Sequence, residues 1–350
     1  MTVTILDGDC RTILPSLSEK SVHCVVTSPP YFGLRDYGVD GQIGLEQTPD
    51  AFVAEMVAVF REVRRVLRDD GTLWLNLGDS YAGSWGAQSR EHAGKHAPNV
   101  SALSANQVKA AARREGRTGA IPEGSGLKPK DMIGIPWMVA FALRADGWYL
   151  RKDIIWHKPN PIPESVTDRP TSSHEHVFLL SKSERYFYDA DAIREAESVP
   201  SWDDGSRTFG GVNKHGANVA HGERTTGRVA TTRKRGVPPR HAEYETSDQS
   251  GLDDVGRGGG RNARDVWTIA TKPFSEAHFA TFPPELPERC IKAGCPAGGT
   301  ILDPFGGAGT TGLVADRLQR NAILIELNPD YAAMARQRLS TDAGMFAEVA

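Results

Sequence analysis

Cysteine is scarce in this 350-residue chain, and its four copies, Cys10, Cys24, Cys290 and Cys295, show no paired C-x-x-C spacing. That pattern argues against a zinc ribbon and against a disulfide framework, so no metal site is expected. No apolar stretch approaches the roughly 20 residues that cross a bilayer, which leaves no membrane partner to invoke. The start of the chain carries Asp7, Asp9 and Glu19 where a signal peptide has a basic end and an apolar middle. The expectation is a reduced, cytoplasmic protein. Charge of one sign is also lacking, because the formal net charge is only −3. Internal repeats are absent too. A chain of this length buries a sizeable core without covalent staples.

Charge is nevertheless segregated. Between Ser206 and His241, Arg207, Lys214, Arg224, Arg228, Arg233, Lys234, Arg235 and Arg240 face only Glu223. The stretch Trp85–Lys130 is basic as well, and both stretches are poor in aliphatic residues. Such segments read either as arms that clamp phosphates or as solvated surface loops.

Two motifs carry the chemistry. The apolar run Val22–Val26 delivers Thr27-Ser28-Pro29-Pro30-Tyr31, a rigid turn at the end of a predicted strand. Two prolines fix φ and remove two backbone donors, so the turn favours acceptors. Ser28 adds an acceptor oxygen and Tyr31 a flat face, a pairing that suits a planar ring bearing an amino group. Near the other terminus, Thr300–Asp303 reads as a strand leading into Pro304-Phe305-Gly306-Gly307-Ala308-Gly309-Thr310-Thr311-Gly312. Gly307, Gly309 and Gly312 fit the G-x-G-x-x-G pattern, and Glu326 ends the next predicted strand. Three nucleotide ligands compete for this loop. A P-loop needs a lysine after the glycines, and none follows. A nicotinamide site leaves both Asp303-Pro304-Phe305 and the Ser28–Tyr31 turn unexplained. S-adenosylmethionine is cationic and free of phosphate, and suits an acid beside the glycines and a second acid for the ribose.

Together these residues resemble the DNA amino-methyltransferases, which methylate the exocyclic nitrogen of cytosine or adenine. Ser28-Pro29-Pro30-Tyr31 matches that family's catalytic [D/N/S]-P-P-[Y/F/W] motif. Asp303–Thr310 matches its D-P-F-x-G-x-G-T cofactor motif. The catalytic motif precedes the cofactor motif, the order of the family's β group. The resemblance therefore implies a circularly permuted, Rossmann-like α/β fold with a mostly parallel sheet, helices on both faces and inserted target-recognition segments. It further implies S-adenosylmethionine as cofactor, held by Asp9, Asp303, Phe305, Gly307, Gly309, Thr310, Glu326 and Asn328, with Phe279 and Thr281 closing over its methionine end. Phe32, Trp156 and His157 are implied for the base pocket, with Lys158 nearby, and Asp36 and Tyr37 are more loosely placed there. The segment Ile154–Pro161, with Arg169-Pro170-Thr171 and His174-Glu175, resembles the family's base-pocket segment. Double-stranded DNA is the implied partner, and a restriction endonuclease a further one.

The expected division is a catalytic half at 1–84, a basic insertion at 85–130, a continuation at 131–194, a Gly-rich target-recognition insertion at 195–263 and a cofactor-binding half at 264–350. Apolar spacing predicts helices over Ala51–Leu67 and Pro136–Arg144, and strands over Thr72–Leu77, Trp148–Trp156 and Val177–Ser181. Further helices are predicted at 284–293, 309–319 and 329–339, and a strand at 322–326. Trp74 and Trp137 are expected in the core. Serine at the first motif position favours cytosine over adenine. The rival readings are a nicotinamide dehydrogenase and a DNA-binding module without catalysis.

Overall fold

Among the described residues, nine strands enter a single sheet, and their order fixes where a ligand binds. The computed structural model describes residues 1–34, 37–82, 126–196, 260–271, 282–342 and 348–349. The strands are β1 (Thr2–Asp7), β2 (Val22–Thr27), β3 (Leu67–Leu77), β4 (Tyr149–His157), β5 (His174–Ser181), β6 (Val266–Thr268), β7 (Thr300–Asp303), β8 (Asn321–Glu326) and β9 (Glu348–Val349). Their order across the sheet is β6-β4-β5-β3-β2-β7-β8-β1-β9. β5 runs antiparallel to β3 and β4, and the other neighbouring pairs are parallel.

Among the described residues the α-helices are α1 (Cys10–Ile13), α2 (Pro49–Val66), α3 (Ile135–Ala145), α4 (Glu285–Gly294), α5 (Thr310–Arg317) and α6 (Pro329–Asp342). α2 begins where Thr48 accepts a hydrogen bond from Ala51 N at 3.2 Å and Pro49 supplies a pre-set φ. Its buried stripe of Phe52, Met56, Val59, Phe60 and Val63 packs, with α3, on Val25, Leu73 and Leu75 of the sheet. The opposite sheet face presents Val26, Trp74 and Leu324 to Ile291 of α4, Leu313 of α5 and Ala335 of α6. Each such aliphatic or aromatic side chain stabilises the fold by about 1.5–3 kcal/mol on burial. The result is the layered α/β architecture that strands alternating with helices imply.

Residues 1–193 and 264–350 form one compact unit and 194–263 a second. Of the second, the described residues include Glu195 and Arg261, which exchange backbone hydrogen bonds of 2.9 Å. Most of both basic stretches lies outside the described residues.

Two expectations need correction. The expected strand over Thr72–Leu77 begins earlier, because α2 passes straight into β3 at Leu67 with no break over 68–71. Leu67 N still donates to Val63 O while Leu67 already pairs with Val22, so one residue serves both elements. Asp69 and Asp70 are exposed and held by Lys20 and Arg68. Trp74 is buried, but Trp137 is 36% exposed, lying edge-on to Phe178 and His176. β1, β6 and β9 were not predicted from apolar spacing; β6 is three residues long and β9 two.

Candidate active site

β2 and β7 are adjacent and parallel, yet the chain leaves them in opposite directions. After β2 it crosses through α2 to β3 on one side, and after β7 it crosses through α5 to β8 on the other. Such a reversal opens a crevice beyond the carboxyl ends of the two strands, where α/β sheets bind ligands. Ser28 follows β2 and the glycine loop follows β7, so the two motifs, far apart in sequence, meet at this crevice.

A buried bond joins them. Asp303 Oδ1 accepts from Thr27 Oγ1 at 2.7 Å and from Phe305 N at 3.1 Å, and Oδ2 accepts from Thr311 Oγ1 at 2.6 Å. Thr27 is the residue immediately before Ser28. Burial raises the Asp303 carboxyl above its ordinary value, opposed by these three hydrogen bonds. The sequence suggests an acid facing a cationic ligand; the structure corrects this, because the carboxylate turns inward and braces the loop against the catalytic strand.

Glu326 lies on the crevice side of β8's end. Its Oε2 accepts from Gly307 N at 2.7 Å and its Oε1 from Asn328 N at 2.8 Å. Burial raises this carboxyl too. Gly307 and Gly309 sit at φ +52° and +78°, where L-residues are strained. A Cβ at Gly309 would lie 2.9 Å from Ala335 Cβ, whereas one at Gly307 would meet nothing nearer than Phe305 O at 4.0 Å. The backbone is thus open to close approach at Gly307.

On the catalytic side, polar groups of β3, of β5 and of the residue just past β4 converge behind the turn. Tyr31 Oη donates to Glu175 Oε2 at 2.7 Å. The amide of Asn76 Nδ2 lies 2.7 Å from Tyr31 Oη, 2.9 Å from Glu175 Oε2 and 3.3 Å from Ser28 Oγ. Lys158 Nζ forms an ion pair with Glu175 Oε1 and lies 4.5 Å from the centre of the Trp156 ring. The Tyr31 ring packs on Gly78, where an added Cβ would come within 2.5 Å of Cε2. Burial, then the charge of Glu175, hold the Tyr31 phenol well above its ordinary value, so it stays a neutral donor.

Several residues implied by resemblance take other places. Phe32 is 1% exposed and packs on Phe52 with ring centres 5.6 Å apart, which places its phenyl ring in the core. Trp156 is also core: it is buried, and its Nε1 donates to Ile269 O at 2.9 Å. Both are corrections to the expected base pocket. His157 is half-buried with Nδ1 3.2 Å from Thr268 Oγ1. Asp9 caps α1 and is paired with Arg11, whose Nη2 lies 2.5 Å from Oδ2. Thr310 starts α5 and receives Arg338 Nη1 at 2.9 Å, while Asn328 Oδ1 receives Asp330 N at 2.9 Å. Phe305 is half-buried against the core. Tyr37 N donates to Gln42 Oε1 at 2.6 Å. Phe279, Thr281 and Asp36 lie outside the described residues. The residue missed outright is Asn76; its one signal was a polar side chain inside Leu73-Trp74-Leu75-Asn76-Leu77.

The loop fits S-adenosylmethionine in its donor set. Gly307 leaves room for a close ligand, no lysine offers a phosphate its charge, and among the described residues no cation is paired with Asp303 or Glu326. An α/β sheet with a glycine loop and an S-P-P-Y turn at one switch point defines a Rossmann-like methyltransferase. A DNA methylase family model, covering N6 and N4 amino-methylases, matches residues 22–337. The type II methyltransferase M.Cfr9I of Citrobacter freundii is 43% identical over 336 residues, 96% of this chain and 87% of its own length. M.SmaI of Serratia marcescens is 42% identical over 335 residues, covering 96% and 90%. In fold, the chain is similar to a DNA modification methylase of Thermus thermophilus solved with S-adenosyl-L-methionine (TM-score 0.54, 22% identity, 99% of each chain). It is also similar to the PvuII cytosine-N4-specific DNA methyltransferase (TM-score 0.52, 19% identity, 96% and 87%). The chain belongs to the N6/N4 DNA methylase family, whose cofactor is S-adenosylmethionine. No helix among the described residues is long and apolar enough to cross a membrane.

Proposed function

We propose that this protein transfers a methyl group from S-adenosylmethionine to the exocyclic N4 of cytosine in double-stranded DNA. The observation that carries this reading is the juxtaposition of Ser28 with the glycine loop across adjacent strands, tied by Thr27–Asp303. Serine, rather than aspartate, at the head of the catalytic turn favours cytosine.

The target nitrogen is a poor nucleophile because its lone pair is delocalised into the ring. When bound, the cofactor supplies an electrophilic methyl on a sulfonium. Glu326 and the backbone at Gly307 would hold its ribose side and Asp9 its adenine, with Phe305, Gly309, Thr310 and Asn328 around them, and Phe279 and Thr281 assigned by resemblance. Ser28 Oγ and the Pro29 carbonyl accept the two N–H groups of the base and draw the nitrogen toward tetrahedral geometry. Pro30 stiffens the turn and Tyr31 offers its ring to the base. Orientation and pre-set dipoles lower the barrier without a covalent intermediate. The base reaches this pocket only by leaving the duplex. The basic stretches within 85–130 and 195–263 are assigned to the DNA backbone and target sequence. Since the relatives named above are type II methyltransferases, a restriction endonuclease with the same target is the expected partner.

The test incubates the protein with unmodified mixed-sequence DNA and methyl-labelled S-adenosylmethionine, then analyses nucleosides by mass spectrometry. Label in N4-methylcytosine supports the proposal. Label in N6-methyladenine reverses the base, and no label in DNA sinks the reading.

A further inference from the structure

The ion pair behind Tyr31 has no place in the chemistry above. Glu175 is the second residue of β5 and lies opposite Trp156 of β4; Lys158 follows β4 directly. Both charged side chains are largely withdrawn from water, at 16% and 19% exposure. Such a pair is weak evidence for stability, since losing hydration offsets much of the attraction and an apolar pair packs as well. What an apolar pair cannot do is accept hydrogen bonds from the Tyr31 hydroxyl and the Asn76 amide, as Glu175 Oε2 does at 2.7 and 2.9 Å. The Tyr31 ring is thereby fixed at both ends, its edge against Gly78 and its hydroxyl on Glu175. The same Asn76 amide reaches Ser28 Oγ at 3.3 Å. The catalytic motif also admits phenylalanine in the tyrosine position, which has no hydroxyl to anchor, so this anchor is a property of the present chain and not of the motif.

We propose that Glu175, held by Lys158, is a positioning residue for methyl transfer, setting the plane of the Tyr31 ring through its hydroxyl. Lys158 holds the carboxylate in place, and Asn76 passes the same alignment to Ser28. The proposal rests on the methyltransferase reading, and its test separates the two.

The experiment measures single-turnover methyl transfer and S-adenosylmethionine affinity for the full chain, for Glu175→Gln, for Tyr31→Phe and for the double variant. Glu175→Gln is expected to slow transfer about tenfold while cofactor Kd changes by less than about twofold, because small misplacements of a reacting partner act on rate. The double variant is expected to be no slower than Tyr31→Phe alone, since Glu175 acts through that hydroxyl. Multiplying effects in the double variant, or an unchanged rate in Glu175→Gln, overturns the proposal. A second readout needs no turnover: 3-fluorotyrosine placed at position 31 and followed by fluorine NMR. Removing the Glu175 charge is expected to lower the pH at which that phenol ionises and to broaden its resonance. A resonance that stays unchanged overturns the positioning role, even if the native chain transfers no methyl group to DNA and the proposed function itself fails.

Discussion

The two halves of the crevice handle buried carboxylates in opposite ways. At the catalytic turn, Glu175 is matched by a cation, Lys158, from the residue just past β4. In the cofactor half, Asp303 and Glu326 are compensated, among the described residues, only by hydroxyls and backbone N–H groups. The first arrangement spends its charge internally and yields a fixed scaffold. The second uses its carboxylates as acceptors, Asp303 bracing the loop from inside and Glu326 fixing Gly307 and Asn328. One crevice therefore holds one side braced by an ion pair and another braced by hydroxyls and backbone N–H groups; in the proposed reading the first aims the nucleophile and the second receives the methyl donor.

The largest effects test the rigid side. Ser28→Ala is expected to cut the methyl-transfer rate by about 100-fold or more, the scale of losing one group aimed at the reacting centre. Cofactor affinity measured by calorimetry should change little; a large loss of affinity with normal turnover would place Ser28 in the wrong half.

The cofactor side is tested next. Asp303→Ala takes away the acceptor of Thr27 Oγ1 and of Phe305 N, while Thr311 Oγ1 keeps Val26 O at 3.5 Å. At about 1–3 kcal/mol for each buried unsatisfied group, urea unfolding should lose at least about 2 kcal/mol. Asp303→Asn keeps an acceptor and discards a buried charge, so it should retain most of that stability. Equal losses in the two variants would show that the charge itself matters.

A smaller loss is expected from Gly309→Ala, on the order of 1–3 kcal/mol, from a positive φ together with the Cβ contact to Ala335. Gly307→Ala meets the strained φ but no crowding, so its effect should fall on S-adenosylmethionine affinity more than on the melting temperature.

The mildest effect is a pH dependence. The Glu326 carboxyl is raised by burial, so between its ordinary value and its raised one the folded state binds more protons than the unfolded state. Folding stability contributed by this group therefore grows as pH falls through the raised value and is lost as pH climbs above it. Urea unfolding at neutral and mildly acidic pH should show this gain on acidification in the native chain and a smaller gain in Glu326→Gln. An identical gain in both would remove Glu326 as its source.

Much of the site was legible because it is built from local patterns. Ser28–Tyr31 and Asp303–Gly312 are contiguous motifs at strand ends, and their chemistry follows from residue types a few positions apart. The long helices and central strands were legible for the same reason, since α2 and β3 announce themselves by apolar period. Phe32 and Trp156 were misread because an aromatic next to a functional motif looks the same in sequence whether it faces the crevice or the core. Only packing on Phe52, or a bond to Ile269 O, separates the cases. Asn76 was missed because its role depends on residues 45, 48 and 99 positions away in the chain.

By itself, the sequence determined the architecture, the two motifs and the class of ligand, because backbone geometry and glycine freedom are set by neighbouring residues. The tertiary structure alone decided which acids face inward, which aromatic rings reach the crevice and which charge steadies Tyr31. Those outcomes depend on where strands β3, β4 and β5 bring their side chains in space, and sheet pairing joins residues whose separation along the chain carries no signal.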